Sequence, residues 1–205
     1  GSANANGSAN ANSRMVYRPY QYIPGFYKLF DEAIVNCRDH EVRMRQSIGE
    51  KINGKKAKQV SYINVDIEPI TGMITMTNDG NGIDIAKHPE FDIWIPEMIF
   101  AHLRTSTNYD KTEKRIVGGK NGFGFKLVLI WSTWGRIETV DHTRRLKYVQ
   151  EFSNNLDVKQ PPVITATESG EQPYTKISFI PDYARLGITD ADRKITPDML
   201  ALFEK

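Results

Sequence analysis

Apolar residues recur along the chain in two rhythms. From Pro24 to about Arg45, Phe26, Leu29, Phe30, Ala33, Ile34 and Cys37 follow one another at helical spacing, and Pro24 suits a helix start, so a first helix is expected there. Val60 to Glu68 alternates instead, with Ile63, Val65 and Ile67 on one face and Tyr62, Asn64, Asp66 and Glu68 on the other. Thr71-Gly72 then supplies a turn before Met73 to Thr77, which makes a hairpin. Ser47 to Gln59, with two glycines and few apolar residues, reads as a solvated loop. Pro96 to Leu103 predicts a short helix, Thr105 to Lys120 a polar loop, and Gly122 to Trp131 an apolar helix after a glycine-rich entry. Further strands are expected over Gly135–Asp141, Arg145–Phe152, Pro162–Thr167 and Tyr174–Ile180, with a last helix over Thr196–Glu204. Together these elements predict an α+β fold: a two-layer sandwich of a mixed, largely antiparallel sheet with helices on one face.

Composition narrows the picture. The 205 residues, 40% hydrophobic and 25% charged, suffice for one sizeable domain and exclude collagen-like or wholly disordered classes. Lys plus Arg is 27 against 25 for Asp plus Glu, a net +2 too small to mark a nucleic-acid module by charge alone. The single cysteine, Cys37, lies on the apolar stripe and reads as a small core residue. No apolar run approaches the ~20 residues of a membrane-spanning helix, so a soluble intracellular protein is expected. The opening GSANANGSANANS is a repeated hexapeptide without charge or large apolar side chains; it reads as an engineered linker or tag, residues 1–13, with the natural sequence expected to begin near Arg14.

Three groups of residues carry candidate chemistry. On the first helix, Glu32, Asn36, Asp39 and Arg43 are spaced four, three and four apart and form one polar stripe beside the apolar one. Such a stripe either turns toward a cleft or is a solvated face with ordinary ion pairing. Asn78-Asp79-Gly80-Asn81-Gly82-Ile83 directly follows a predicted strand. Its glycines allow a tight turn and close approach to a ligand, and its amide can recognise an amine; a plain turn has the same composition. The third group runs Gly118-Gly119-Lys120-Asn121-Gly122-Phe123-Gly124-Phe125-Lys126 into an apolar helix. Backbone donors and Lys126 suit phosphates, although neither the Walker pattern nor the dinucleotide pattern fits. His88, His102 and His142 have no companions at metal-ligand spacing, and Trp131 and Trp134, at the end of the apolar helix, lean toward core or interface.

A helix-borne ExxxNxxD, a strand-end NDGNGI and GxxGxG opening a helix, in that order, resemble the ATP-binding fold of gyrase, heat-shock-90 chaperones, histidine kinases and MutL. YIPGFYKLFDEAIVN, PEMIFAHLRTSTNYD, EKRIVGGKNGFGFKL and YTKISFIPD, spread from Val16 to about Gly187, resemble one branch, the ATPase domain of eukaryotic and viral type IIA DNA topoisomerases. The resemblance implies ATP and Mg²⁺ as cofactors. It makes Glu32 the general base for the attacking water, Lys126 its catalytic partner on the phosphates, and Asn36 the Mg²⁺ ligand, with Asp39, His40 and Arg43 flanking the nucleotide. Asn78 would meet the adenine amine, and Asp79, Gly82, Ile83, Ile99, Phe100 and Thr175 would complete the base pocket. Ser106, Thr107 and Asn108 would serve the ribose and phosphates, and Lys120, Asn121, Gly122, Phe123 and Gly124 would form the triphosphate loop.

The departures from that family carry expectations of their own. His40 stands where cellular enzymes have Asn, and Met44–Gln59 is longer and more basic than their connection, as in a divergent, viral member. The resemblance implies DNA as partner through the rest of a longer enzyme, homodimeric when complete, and a nuclear or viral-replication-site location without membrane contact. An N-terminal arm and a transducer domain with a phosphate-sensing lysine are expected to lie outside residues 14–205, so a monomer with little ATP turnover is expected here. The competing readings are a chaperone or repair ATPase of the same fold, or a nucleotide-gated dimerisation module.

Overall fold

Phe26, Leu29, Phe30, Ala33, Cys37 and Met44 line one side of helix α1 (Pro24–Gln46), with Pro24 in its first turn. The computed structural model describes residues 19–102, 124–168, 170–190 and 192–205. Burial pushes the Cys37 thiol up to about 11, so it is an inert core group. After α1, Lys51–Ile52 (β1) and Lys55–Lys56 (β2) pair as a small antiparallel hairpin where a plain loop was expected. Asn53 (φ 49) and Gly54 (φ 78) both take positive φ, the geometry of a two-residue hairpin turn.

The main sheet is built from β3 (Ile63–Ile67), β4 (Ile74–Asp79), β5 (Ser132–Asp141), β6 (Leu146–Ser153), β7 (Val158–Lys159), β8 (Val163–Ala166) and β9 (Tyr174–Pro181). Its order is β3-β4-β9-β5-β6-β7, with β8 also on β6. Every pairing among the described residues is antiparallel, in keeping with the largely antiparallel sheet expected. Hairpins join β3 to β4 and β5 to β6, and β9 returns between β4 and β5 against both. β4 and β5, on either side of β9, therefore run in the same direction, and α2 and α3 lie between them in the chain.

Register and the two-residue period set three rows across the helix-bearing face. Ile67, Ile74, Phe179, Gly135 and Phe152 form the first, and Val65, Met76, Ile177, Ile137 and Gln150 the second. The third is Ile63, Asn78, Thr175, Thr139 and Tyr148. The first two rows supply most of the sheet's apolar contribution to the core, where Phe26, Ile74, Met76 and Phe179 are fully buried. Each such side chain contributes roughly 1.5–3 kcal/mol of burial free energy. The third row turns polar on the same face, at the end of the sheet that leads into the Asn78–Ile83 loop.

Helices α2 (Ile95–Ala101), α3 (Gly124–Ile130) and α4 (Pro197–Phe203) join α1 on that face. Phe100 of α2 meets Phe125 of α3 edge-on at 4.8 Å, and Phe30 of α1 stacks on Phe203 of α4 at 4.0 Å. Gly135 lets α3 settle onto β5, because a Cβ there would stand 2.4 Å from Leu129 Cδ2. Thr196 caps α4 by accepting from Met199 N. Since α3 ends at Ile130, Trp134 lies in β5 rather than at the end of a helix. Trp131 is covered by the Arg185 guanidinium at 4.3 Å.

Candidate functional site

The polar row is the floor of the site. Asn78 (3% exposed), Thr175 and Thr139 are cross-strand neighbours on β4, β9 and β5, and all three are buried. A buried amide and two buried hydroxyls in line, at the edge of an apolar core, would be costly without partners. Asn78 Nδ2 donates to the Asp79 carbonyl at 2.8 Å, which leaves Oδ1, an acceptor, with no donor among the described residues. Thr139 and Thr175 hydroxyls lie 3.1 Å apart.

The loop above the floor is held from both sides. Asp79, on the opposite face of β4 from Asn78, accepts from Ser61 N (2.7 Å), Tyr62 N (3.0 Å) and the Ser61 hydroxyl. Burial would raise its pKa, but these donors outweigh it and hold the carboxyl below its ordinary value. Asp79 therefore anchors the entry to β3, a different post from the nucleotide contact expected of it. Asn81 accepts from Lys58 N at 2.8 Å, and Gly80 takes φ 91 against Val60. Gly82 lies so close to β5 that a Cβ would stand 1.9 Å from the Val140 carbonyl oxygen, and Ile83 N donates to Thr139 Oγ1 at 3.0 Å.

The polar stripe of α1 supplies the second wall. Glu32 pairs with exposed Lys28 at 2.8 Å and stands against the first residue of α3: a Cβ on Gly124 would lie 1.9 Å from Glu32 Oε2. Asn36 Nδ2 donates to the Glu32 carbonyl, leaving its Oδ1 as a hard oxygen donor beside that carboxylate. Lys126, the third residue of α3, is only 7% exposed, and no carboxylate among the described residues pairs with it. Burial pushes its pKa below the ordinary lysine value, the mark of a cation stripped of water without a replacing anion. A carboxylate against the start of α3, an amide oxygen on α1 and a buried ammonium on α3 are the kinds of group that a phosphate chain uses.

The other expected residues divide. Asp39 is half-buried and Arg43 exposed on α1. His40 packs beside Gly80, its Nε2 buried without a partner among the described residues. Burial, and then the Arg43 charge, push it down to about 4, so it is neutral at pH 7 and lies under the base loop. Phe100 belongs to the core, whereas Ile99 is 42% exposed. Ser106, Thr107, Asn108, Lys120, Asn121, Gly122 and Phe123 lie outside the described residues. Thr139, on the floor, was not singled out by sequence reasoning, and Asn81 was named only as part of the loop motif. No three His, Cys, Asp or Glu side chains gather into a metal site among the described residues, and no helix among them is long and apolar enough to cross a membrane.

No protein-family profile matches the chain. DNA topoisomerase 2 of Acanthamoeba polyphaga mimivirus is 43% identical over 194 residues, 95% of this chain and 14% of that protein. The probable DNA topoisomerase 2 of Dictyostelium discoideum is 40% identical over 194 residues, 95% of this chain and 12% of that one. The chain thus spans about one seventh or less of these relatives. Among solved structures, the ATPase region of Saccharomyces cerevisiae topoisomerase II superposes with a TM-score of 0.76 at 39% identity, covering 89% of this chain and 44% of that one. The 43K ATPase domain of Thermus thermophilus gyrase B, at TM-score 0.60 and 19% identity over 88% of this chain and 39% of that one, shares the fold. With sequence and fold agreeing along nearly its whole length, the chain is a homologue of the ATPase region of DNA topoisomerase 2.

Proposed function

We propose that the chain binds adenine nucleotides with Mg²⁺ and hydrolyses ATP, as the motor of a type IIA DNA topoisomerase that passes one DNA duplex through another. The observation that carries the reading is the meeting of Glu32 with the first residue of α3, two residues before a buried Lys126 that no carboxylate among the described residues pairs with. In that reading a water between the carboxylate and the γ-phosphate attacks phosphorus in line. Its proton passes to Glu32, the bond from γ-phosphorus to the bridging oxygen breaks, and ADP and phosphate leave. Lys126 stabilises the charge on the phosphate oxygens. Asn36 is the residue that would hold Mg²⁺, through its free Oδ1, and the ion when bound neutralises phosphate charge. DNA contact, homodimerisation and a nuclear or viral-replication-site location belong to the same proposal, in keeping with relatives from eukaryotes and a virus. For this chain alone the proposal is a monomer with low turnover.

Glu32→Ala is the test. Single-turnover hydrolysis with excess protein should be abolished while ADP affinity stays within a few-fold, because the base acts on water. A loss of affinity above about a hundredfold, ~2.7 kcal/mol, would assign Glu32 a structural role instead. Hydrolysis unchanged by the substitution would favour a nucleotide-gated dimerisation module whose residual turnover arises elsewhere.

A further inference from the structure

Three hydrogen bonds meet at the Thr139 hydroxyl on the floor of the site. Ile83 N lies at 3.0 Å, the Tyr174 carbonyl oxygen at 3.0 Å and Thr175 Oγ1 at 3.1 Å. A hydroxyl has one proton and two lone pairs. The amide of Ile83 can only donate and the carbonyl of Tyr174 can only accept, so Thr139 gives its proton to Tyr174 and one lone pair to Ile83. Its remaining lone pair can be filled only by the Thr175 proton. Thr175 is thereby left with acceptor capacity alone. Its cross-strand neighbour Asn78 gives one Nδ2 proton to the Asp79 carbonyl and keeps Oδ1 as an acceptor beside its second Nδ2 proton. The contrast with Thr75 and Ser178 is informative: they pair at 2.9 Å with no third partner among the described residues, so either can donate.

We infer that Thr139 is a positioning residue that fixes the Thr175 hydroxyl on the pocket floor as an acceptor and so sets the pocket's base specificity. The inference rests on the reading of this site as an adenine-nucleotide pocket. A Thr175 hydroxyl that can only accept, beside Asn78 Oδ1, suits a base whose exocyclic group is an amine and opposes one with a carbonyl at the same position, because buried acceptors then face each other unpaired. Thr139 acts only through Thr175 and Ile83. Without its hydroxyl, Thr175 turns its proton toward the ligand, and a carbonyl-bearing base becomes tolerable.

Calorimetry with ADP and IDP separates this from a general packing role, since hypoxanthine replaces the adenine amine by a carbonyl. The wild-type chain should prefer ADP. Thr139→Val, of nearly equal volume, should reduce the ADP-to-IDP affinity ratio about tenfold, and Thr139→Ser should restore it. Thr139→Cys, a poor donor of similar size, serves the same purpose should the valine variant not fold. A ratio unchanged in the valine and cysteine variants, with both nucleotides weakened alike, overturns the inference and leaves the site reading standing. A wild-type chain that binds ADP and IDP equally overturns both.

Discussion

Gly82→Ala and Gly124→Ala would each bring a new methyl carbon to 1.9 Å from an oxygen, yet they should fail in different ways. At position 82 the oxygen is the Val140 main-chain carbonyl, with its carbon at 2.6 Å and Thr139 Oγ1 at 3.0 Å. An ordinary carbon-to-oxygen contact is about 3.4 Å, so the loop must leave β5 by about 1.5 Å. Two bonds span that seam, Ile83 N to Thr139 Oγ1 at 3.0 Å and Ile85 N to Asp141 Oδ2 at 3.1 Å. Losing both at about 1 kcal/mol each, with roughly 1–3 kcal/mol of overpacking strain, gives about 3–5 kcal/mol. For a domain of this size that is a fall in Tm of roughly 6–20 °C. At position 124 the oxygen is the tip of the Glu32 side chain, with Cδ at 3.0 Å, and a carboxylate can swing away. That variant should melt within about 3 °C of the wild type and keep its ADP affinity within a few-fold, but lose single-turnover hydrolysis by at least about a hundredfold as the base is displaced. Thermal melts and the hydrolysis assay on both variants decide it. A Gly82→Ala chain melting within 2 °C of the wild type would refute the close approach of the loop to β5, and a fully active Gly124→Ala would refute the placement of Glu32.

Lys126→Met keeps the buried stem and removes the charge. It should weaken ADP binding by about ten- to a hundredfold, as loss of a charge-assisted phosphate contact does, without lowering Tm, because the charge has no partner to lose among the described residues; calorimetry and melting read the two effects. His40 titrates near 4 in the folded chain against 6.5 ordinarily, so the unfolded chain takes up the proton first as pH falls. Its contribution is complete above about pH 6.5 and is lost toward pH 4, about 2–3 kcal/mol in all; urea midpoints across that window should fall for the wild type and stay flatter for His40→Asn.

The helices and central strands were legible because their apolar periods agree with their tertiary roles: the α1 stripe that spacing marks is the buried one, and Ile63, Val65 and Ile67 share a face as their alternation requires. The β1–β2 hairpin escaped for a local reason. Asn53-Gly54 is a strong turn signal, but lysines flank it where strand-forming residues would have drawn attention. Sheet order depends on where β9 inserts, a fact of register between β4 and β9, segments some hundred residues apart.

The same division governs the site. Glu32, Asn36 and Asn78 were visible because each belongs to a local spacing or turn motif, and Lys126 because it follows a run of glycines. Thr139 belongs to none: Glu138-Thr139-Val140 reads as ordinary strand sequence. Its importance arises when β5 pairs with β9 so that Thr139 meets Thr175 across the strands, and when Gly82 lets the loop close on both. Motifs therefore mark the groups proposed to touch the nucleotide, while the register brings together Thr139 and Thr175, the pair proposed to fix which way the Thr175 proton points. A substitution that preserves every motif but shifts β5 against β9 by one residue would turn Thr139 to the opposite face. It would take the Thr139 hydroxyl off the floor while leaving Asn78 and Thr175 in place on β4 and β9.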